Sequence, residues 1–272
     1  MARPRTPLLS RELIVAAALR LIDAEGLAAL STRRLATELS VSGPSLYNHV
    51  ATKDELLDAV VDSVIGEVDL SMFGGPGAAG AAGAADTAAV GDTGDTGATG
   101  DTADGAGPVR PGTPPTPWPD ALRDWARSYR AALAAHPNIV PVLAQGPGRR
   151  PNALRLADAV FGHLVEAGWP RGQATRIGAL MRYFVTGSAL ASFAAGFPAD
   201  AEVYDAADYP HLGEAHRLAG HRGAVDEGAF ETGLEALLDG LVLRFERLQR
   251  VERPEQPEQH GQHERAARSS GR

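Results

Sequence analysis

Residues 31–56 read STRRLATELSVSGPSLYNHVATKDEL, and the architecture of the chain turns on them. Ser31 is placed to accept hydrogen bonds from the free N–H groups that open a helix, which predicts a short helix from Thr32 to Leu39. Ser40, Val41 and Ser42 form a three-residue turn into a second helix, opened by Gly43 and Pro44 and ending near Val50. Helix, short turn and helix make the helix-turn-helix pattern. Leu35, Ala36, Leu39, Val41, Leu46 and Val50 are spaced to form its small core, which leaves Gly43, Pro44, Ser45, Tyr47, Asn48 and His49 facing outward. A short polar and aromatic surface of this kind suits the N-terminus of a helix entering the major groove, where Asn pairs with a base edge and hydroxyls meet bases or phosphates.

The neighbouring segments supply the support such a pair needs. Upstream, Ser10 caps a helix that carries Ile14, Ala17, Ala18, Leu21 and Ile22 on one face and stops at Gly26. Downstream, Thr52-Lys53-Asp54-Glu55 reads as a capping box, so a fourth helix starts there with the Lys53 ammonium beside free N–H groups at a positive helix end. That corner suits a phosphate. Leu56, Leu57, Val60, Val61, Val64 and Ile65 make this fourth helix a lever that packs on both sides.

The whole chain has 272 residues, 44% of them hydrophobic, enough for a sizeable core in one or two domains. It has no cysteine, which excludes a disulfide framework, a thiolate metal site and a cysteine nucleophile, and fits a reducing cytosol. The net charge of -8 argues against indiscriminate coating of nucleic acid, yet residues 1–50 hold six Arg against four acidic residues. No stretch reads as a membrane span and the N-terminus lacks the pattern of an export signal, so a cytoplasmic protein without membrane partners is expected. Apolar residues recur at three and four residue intervals and strand alternation is absent, which predicts an all-α fold.

Texture divides the chain into four parts: 1–70 as a DNA-binding domain with its connecting helix, 74–117 as a Gly/Ala/Asp/Thr/Pro-rich insertion, 118–250 as a second helical domain, and 251–272 as a polar tail. The insertion and the tail carry too little apolar surface to fold, and both are expected to be disordered. In the second domain, helices are expected over residues 120–136, 139–144, 152–167, 173–195, 211–221 and 227–249.

The run LSRELIVAAALRLIDAEGLAALSTRRLATELSVSGPSLYNHVATKDELLDAVV (residues 9–61) resembles the N-terminal domain of the tetracycline-repressor (TetR) family along its whole length. The resemblance implies a ligand-responsive, dimeric transcription regulator, with Thr32, Tyr47, His49 and Lys53 holding the DNA backbone and Arg33, Gly43, Pro44, Ser45 and Asn48 facing the bases. Gly43 departs from the tetracycline repressor, which has a long polar side chain there, so a different operator is implied. The segments LADAVFGHLVEAGW, FVTGSAL and FETGLEALLDGL resemble the family's C-terminal domain. They imply that the long helix and the last helix of each subunit build a four-helix dimer interface, and the broad apolar stripe of Phe230, Leu234, Leu237, Leu238, Leu241 and Phe245 on the last helix is the expected contact. The alternative is that this stripe packs only within its own subunit.

An effector pocket is expected among Trp125, Tyr129, Leu143, Phe161, Leu164, Met181, Phe184 and Ser188, suited to a flat and largely apolar ligand. Leu143 and Ala191 stand where the tetracycline repressor has its magnesium-binding His and a nearby Glu, so magnesium-tetracycline is not the expected effector. His211, His216 and His221 lie five apart, off any shared helix face, and no metal site or other cofactor is expected. An enzyme is disfavoured because the sequence has no nucleophile elbow and no phosphate-cradling glycine loop. The expected function is repression of a palindromic operator that is released when a small molecule binds. The alternative is a constitutive DNA-binding dimer, or an activator, without a ligand switch.

Overall fold

The computed structural model describes residues 9–74, 116–144 and 150–252. Among them every regular element is helical and none is a strand. The α-helices are α1 (Arg11–Glu25), α2 (Thr32–Glu38), α3 (Gly43–Tyr47), α4 (Lys53–Ile65), α5 (Trp118–Ala135), α6 (Val140–Ala144), α7 (Pro151–Glu166), α8 (Arg171–Leu190) and α9 (Arg222–Glu252). The insertion expected over 74–117 and the tail expected from 251 lie almost wholly outside the described residues, although α9 carries helix through Glu252.

Local signals fix the first four helices. Ser10, Ser31 and Thr52 each sit in extended backbone and accept a hydrogen bond from the N–H three residues on, at 3.2, 3.2 and 3.0 Å. The turn between α2 and α3 has a specific geometry. Ser40 takes a left-handed φ of 55°, the Ser40 N–H donates to the Thr37 carbonyl, and the Val41 N–H reaches back to the Ala36 carbonyl. This is a Schellman ending, in which glycine usually fills the position that Ser40 holds.

Two expected endings move. The helix read as 173–195 stops at Leu190, because Ala191 turns to extended backbone, and a single 3-10 turn follows at Ala194–Gly196. The helix expected over 211–221 is turns and a 3-10 segment (Ala215–His221) that runs straight into α9. The first histidines of that region therefore never share a helix.

The stretch Arg171–Gly196 is long and apolar enough to cross a membrane, contrary to the expectation that none approaches this. Here α8 packs one face on α5 and α7, with Ala174, Ile177, Gly178, Met181 and Val185 buried, and leaves Leu180, Tyr183 and Leu190 exposed. It meets α9 through Phe184, which stacks on Phe230 at 5.3 Å and lies where any side chain at Gly233 would need to be.

Helix α9 seals the domain against α5 by a ladder of ion pairs. Arg123 and Arg127 each grip a glutamate with two nitrogens, Arg123 on Glu235 at 2.8 and 3.1 Å and Arg127 on Glu231 at 3.0 and 2.6 Å. Arg130 reaches Glu227 and lies over the Phe230 ring at 4.5 Å. At the far end, Trp118, Trp169 and Phe245 form an aromatic knot with centroids 4.9–5.7 Å apart.

These local devices can be tested singly. Ser40→Gly removes the cost of a side chain in the left-handed region, and should raise stability by about 0.5–1 kcal/mol in urea or thermal denaturation. The ion-pair ladder should respond to acid. The Arg127 guanidinium holds the Glu231 carboxyl below its ordinary value near 4.5, and Arg123 does the same for Glu235. Carboxylates lowered in the folded state contribute stability that is complete above the ordinary value and is lost as pH falls through the lowered ones. A melting series from pH 6 to pH 3 should show that loss in the parent protein, and a smaller one in Glu231→Gln.

Candidate functional site

The outward surface of the first domain brings most of the expected DNA contacts to one side. Thr32, Arg33, Pro44, Tyr47, Asn48 and Lys53 are exposed, with Gly43, Ser45 and His49 half-buried beside them. Tyr47 shows 56% of its surface to solvent, which is unusual for a large aromatic in a domain with a formed core. Thr32 of α2, Tyr47 of α3 and Lys53 of α4 rim one shallow hollow of about 20 Å³. Three helices thus bring a threonine, a tyrosine and a lysine to one hollow, residue types that can donate to a phosphate oxygen. Neither Arg33 nor Lys53 has an ion-pair partner among the described residues, whereas Arg34 is tied to Glu25 at 2.6 Å and Glu38 at 3.0 Å.

The end of the recognition helix is bolted to its neighbours by Glu55. One of its oxygens accepts from the Ala51 N–H at 2.9 Å, and the other from the Arg11 guanidinium at 2.6 Å. The expected capping box is therefore modified: Thr52 caps the Glu55 N–H as read, but the glutamate reaches Ala51 rather than Thr52. The Ala51 N–H first, and Arg11 second, keep the Glu55 carboxyl below its ordinary range. Arg11 also approaches the His49 carbonyl at 3.5 Å, so α1 ties down the segment joining α3 to α4. The part played by Arg11 did not stand out in sequence. Its signal was a cation at the start of α1 that no acid a turn further along that helix claims.

At the opposite end, α4 is locked onto the second domain. Asp62 Oδ1 accepts from the backbone N–H groups of Asn152 and Ala153 at 2.9 and 3.2 Å, capping the first turn of α7. Asn152 returns the contact by donating Nδ2 to the Asp62 carbonyl at 2.9 Å. Arg150, only 4% exposed, holds Asp58 Oδ1 with Nε at 3.1 Å and Nη2 at 2.6 Å. A side chain at Gly66 would run into Asn152, so the joint also requires a glycine.

Beside this joint lies a cavity of about 230 Å³, enclosed by the end of α4, α5, α7 and α8. Of the eight expected pocket residues, Trp125, Tyr129 and Phe161 line it. The other five are corrected. Leu143, Leu164 and Met181 are fully buried in the core between helices, Phe184 stacks on Phe230, and the Ser188 hydroxyl donates to its own helix at the Val185 carbonyl. Spacing placed these residues on inward faces, but a core and a cavity share such faces. The cavity is completed by Ile65, Arg150, Thr175 and Arg182, which sequence reasoning missed. For Thr175 and Arg182 there was a signal, since they share a helix face with Gly178 and polar groups break an apolar stripe there.

The expected dimer stripe is corrected at four of its six positions. Phe230, Leu234, Leu238 and Leu241 are buried within their own subunit. Leu237 and Phe245 pack half-buried on the same core. The large apolar side chains that α8 and α9 leave exposed are Leu180, Tyr183, Leu190, Leu243 and Val251.

A short outward-facing helix packed across a tight turn on a second one, and joined by α4 to a helical domain that holds a cavity, defines a helix-turn-helix protein with a separate helical domain. Residues 14–60 match the bacterial regulatory proteins of the tetR family, and residues 110–245 match the tetracyclin repressor-like C-terminal domain. The chain belongs to the tetR family of bacterial regulatory proteins. It is 30% identical over 182 residues to an HTH-type transcriptional regulator of Saccharopolyspora erythraea, which covers 67% of this chain and 60% of that relative. It is 29% identical over 236 residues to the class A tetracycline repressor of Escherichia coli, covering 85% and 89%. The crystal structure of ActR from Streptomyces coelicolor in complex with actinorhodin aligns over 86% of this chain and 97% of that one, with 27% identity and a TM-score of 0.58.

Gly43 has no atom within 4 Å of where a side chain would begin. Gly43→Gln should therefore fold with unchanged melting behaviour and should change the preferred base at the facing operator position in a binding-site selection, because glutamine reads adenine where glycine reads nothing.

Proposed function

We propose that the protein is a homodimeric, ligand-responsive repressor that inserts α3 of each subunit into successive major-groove faces of a palindromic operator and lets go when a small molecule fills the cavity. The observation that carries this reading is the course of α4. Its first residue, Lys53, stands at the phosphate corner, and its last, Ile65, lines the cavity. One helix thus touches both sites, and a ligand acts on DNA affinity to the extent that it prefers one placement of that helix.

Support for each contact comes from placement. Thr32, Tyr47, His49 and Lys53 are assigned to the DNA backbone, and Arg33, Pro44, Ser45 and Asn48 to base edges. Gly43 gives the helix end close access to the groove floor. Ser42 and Ser45 hydroxyls bond each other at 2.7 Å, which steadies the first turn of α3 before DNA arrives. The subunits pair through the exposed faces of α8 and α9. Leu180, Tyr183, Gly187 and Leu190 recur at helical spacing on α8, and Ala236, Gly240 and Leu243 on α9, where Gly240 has open space above it. Such a dyad would set the recognition helices about 34 Å apart. The cavity is smaller than the roughly 300–1,000 Å³ usual for drug-sized ligands, which favours an effector of one or two rings.

The direct test is operator binding as a function of salt. Lys53→Ala should weaken binding to every duplex and reduce the slope of log K against log salt by about 0.9 for each phosphate that the lysine neutralises. Asn48→Ala should leave the slope in place and relax base choice at one pair per half-site, at a cost of about 1–3 kcal/mol. Unaltered DNA affinity in both variants would remove these DNA-binding roles.

A further inference from the structure

The polar groups around the cavity are donors. Among its lining residues there is no Asp or Glu, while Arg150 and Arg182 both reach it. Arg182 is half-buried and has no hydrogen-bond or ion-pair partner among the described residues. Trp125, 1% exposed, lines the cavity, and its buried indole Nε1–H has no acceptor among the described residues. A buried donor without an acceptor costs roughly 1–3 kcal/mol, a cost that a ligand acceptor relieves. Arg150 is the more informative residue. Its Nε and Nη2 are committed to Asp58 on α4, and the same residue lines the cavity.

The walls around these donors are aromatic and flat. Trp125 and Tyr129 lie 5.8 Å apart with a 31° tilt, and Phe161 closes over Gly178, where any side chain would collide with its ring. A neutral apolar ligand would leave the indole N–H and the Arg182 guanidinium unanswered. A cationic one would meet like charge.

From this donor set, and resting on the ligand-responsive reading above, we propose that the effector is a planar aromatic anion, a one- or two-ring carboxylate or phenolate. Its ring stacks among Trp125, Tyr129 and Phe161 while its oxygens take the Arg182 and Arg150 guanidinium groups and the Trp125 N–H. Regulation lies in the competition for Arg150. An anion in the cavity draws Arg150 from Asp58, and α4 loses one of its two ties to α7, the other being Asp62 on the α7 N-terminus. Charge-assisted pairs between arginine and a carboxylate are the strong members of their class, so exchanging one carboxylate for another is a near-balanced switch rather than a costly break.

The test uses the full chain with 1-hydroxy-2-naphthoate and salicylate as anionic probes, and the corresponding uncharged amides as shape controls. Binding is read by calorimetry and operator release by fluorescence anisotropy. An acid should bind at least tenfold more tightly than its amide and release the operator. In Arg182→Gln that preference should shrink to less than threefold. Asp58→Asn, at a half-exposed position that leaves Arg150 without its carboxylate, should raise affinity for the acid at least threefold without raising affinity for the amide. Amides that bind as well as the acids and also release the operator would overturn the anionic assignment while leaving the ligand-responsive reading in place. Failure of all four compounds to bind would overturn the assignment as well, and operator binding by the free protein would then show whether the DNA-binding reading survives. An Asp58→Asn protein with parental affinity for the acid would remove the role given to Arg150.

Discussion

The structure depends on the carboxylate of Asp62. Set three residues before the end of α4, it caps the two free N–H groups that open α7, and Asn152 answers by donating to the Asp62 carbonyl. Each helix end therefore satisfies the other, and the bond that completes the effector domain also orients the DNA-binding domain. Capping by an acidic side chain stabilises a helix start by hydrogen bonding and by charge against the positive helix end. Gly66 belongs to the same device, since a side chain there would displace Asn152. On the other flank, Asn138 donates to the Ile22 carbonyl at 2.9 Å, and the His136 ring lies between Asp23 at 2.8 Å and Glu67 at 3.2 Å. These polar groups flank an apolar contact, since α4 packs on α5, α6 and α7 within one continuous core.

Charge is distributed to match. Arg123, Arg127 and Arg130 in the second domain are held by the α5–α9 ladder, and Arg11 and Arg34 in the first by Glu55 and by Glu25 with Glu38. Arg33 and Lys53 on the outward face of the first domain, and Arg182 at the cavity, are among the described cations left without an ion-pair partner. An acidic protein of net charge -8 can grip a polyanion by this arrangement, because the local surface and not the sum sets the field that DNA meets.

The DNA-binding half was legible in sequence because its signals are local. Ser10, Ser31 and Thr52 cap by their own chemistry, and the apolar spacing from Leu35 to Val50 admits one packing of two short helices. The effector half was less legible. Apolar periodicity located α5, α7, α8 and α9 to within a few residues, but it cannot say whether an inward face meets another helix of the same subunit, an empty space or a second copy. Leu143, Leu164 and Met181 went to core rather than cavity for that reason, and Phe230, Leu234, Leu238 and Leu241 to the subunit interior rather than the dyad. Arg150, outside any amphipathic pattern, gave no signal at all. Its role arises only from a contact with Asp58, 92 residues away in the chain.

The absence of cysteine makes the orienting role of Asp62 directly measurable, because a single introduced thiol labels without background. Nitroxide placed at Asp54→Cys, on the exposed first turn of α4, reports the separation of the two α4 helices by pulsed dipolar spectroscopy. One narrow distance distribution is expected, and a clearly broader one when Asp62→Ala is added. Equal widths with and without the Asp62 carboxylate, or no dipolar coupling at all, would contradict this role.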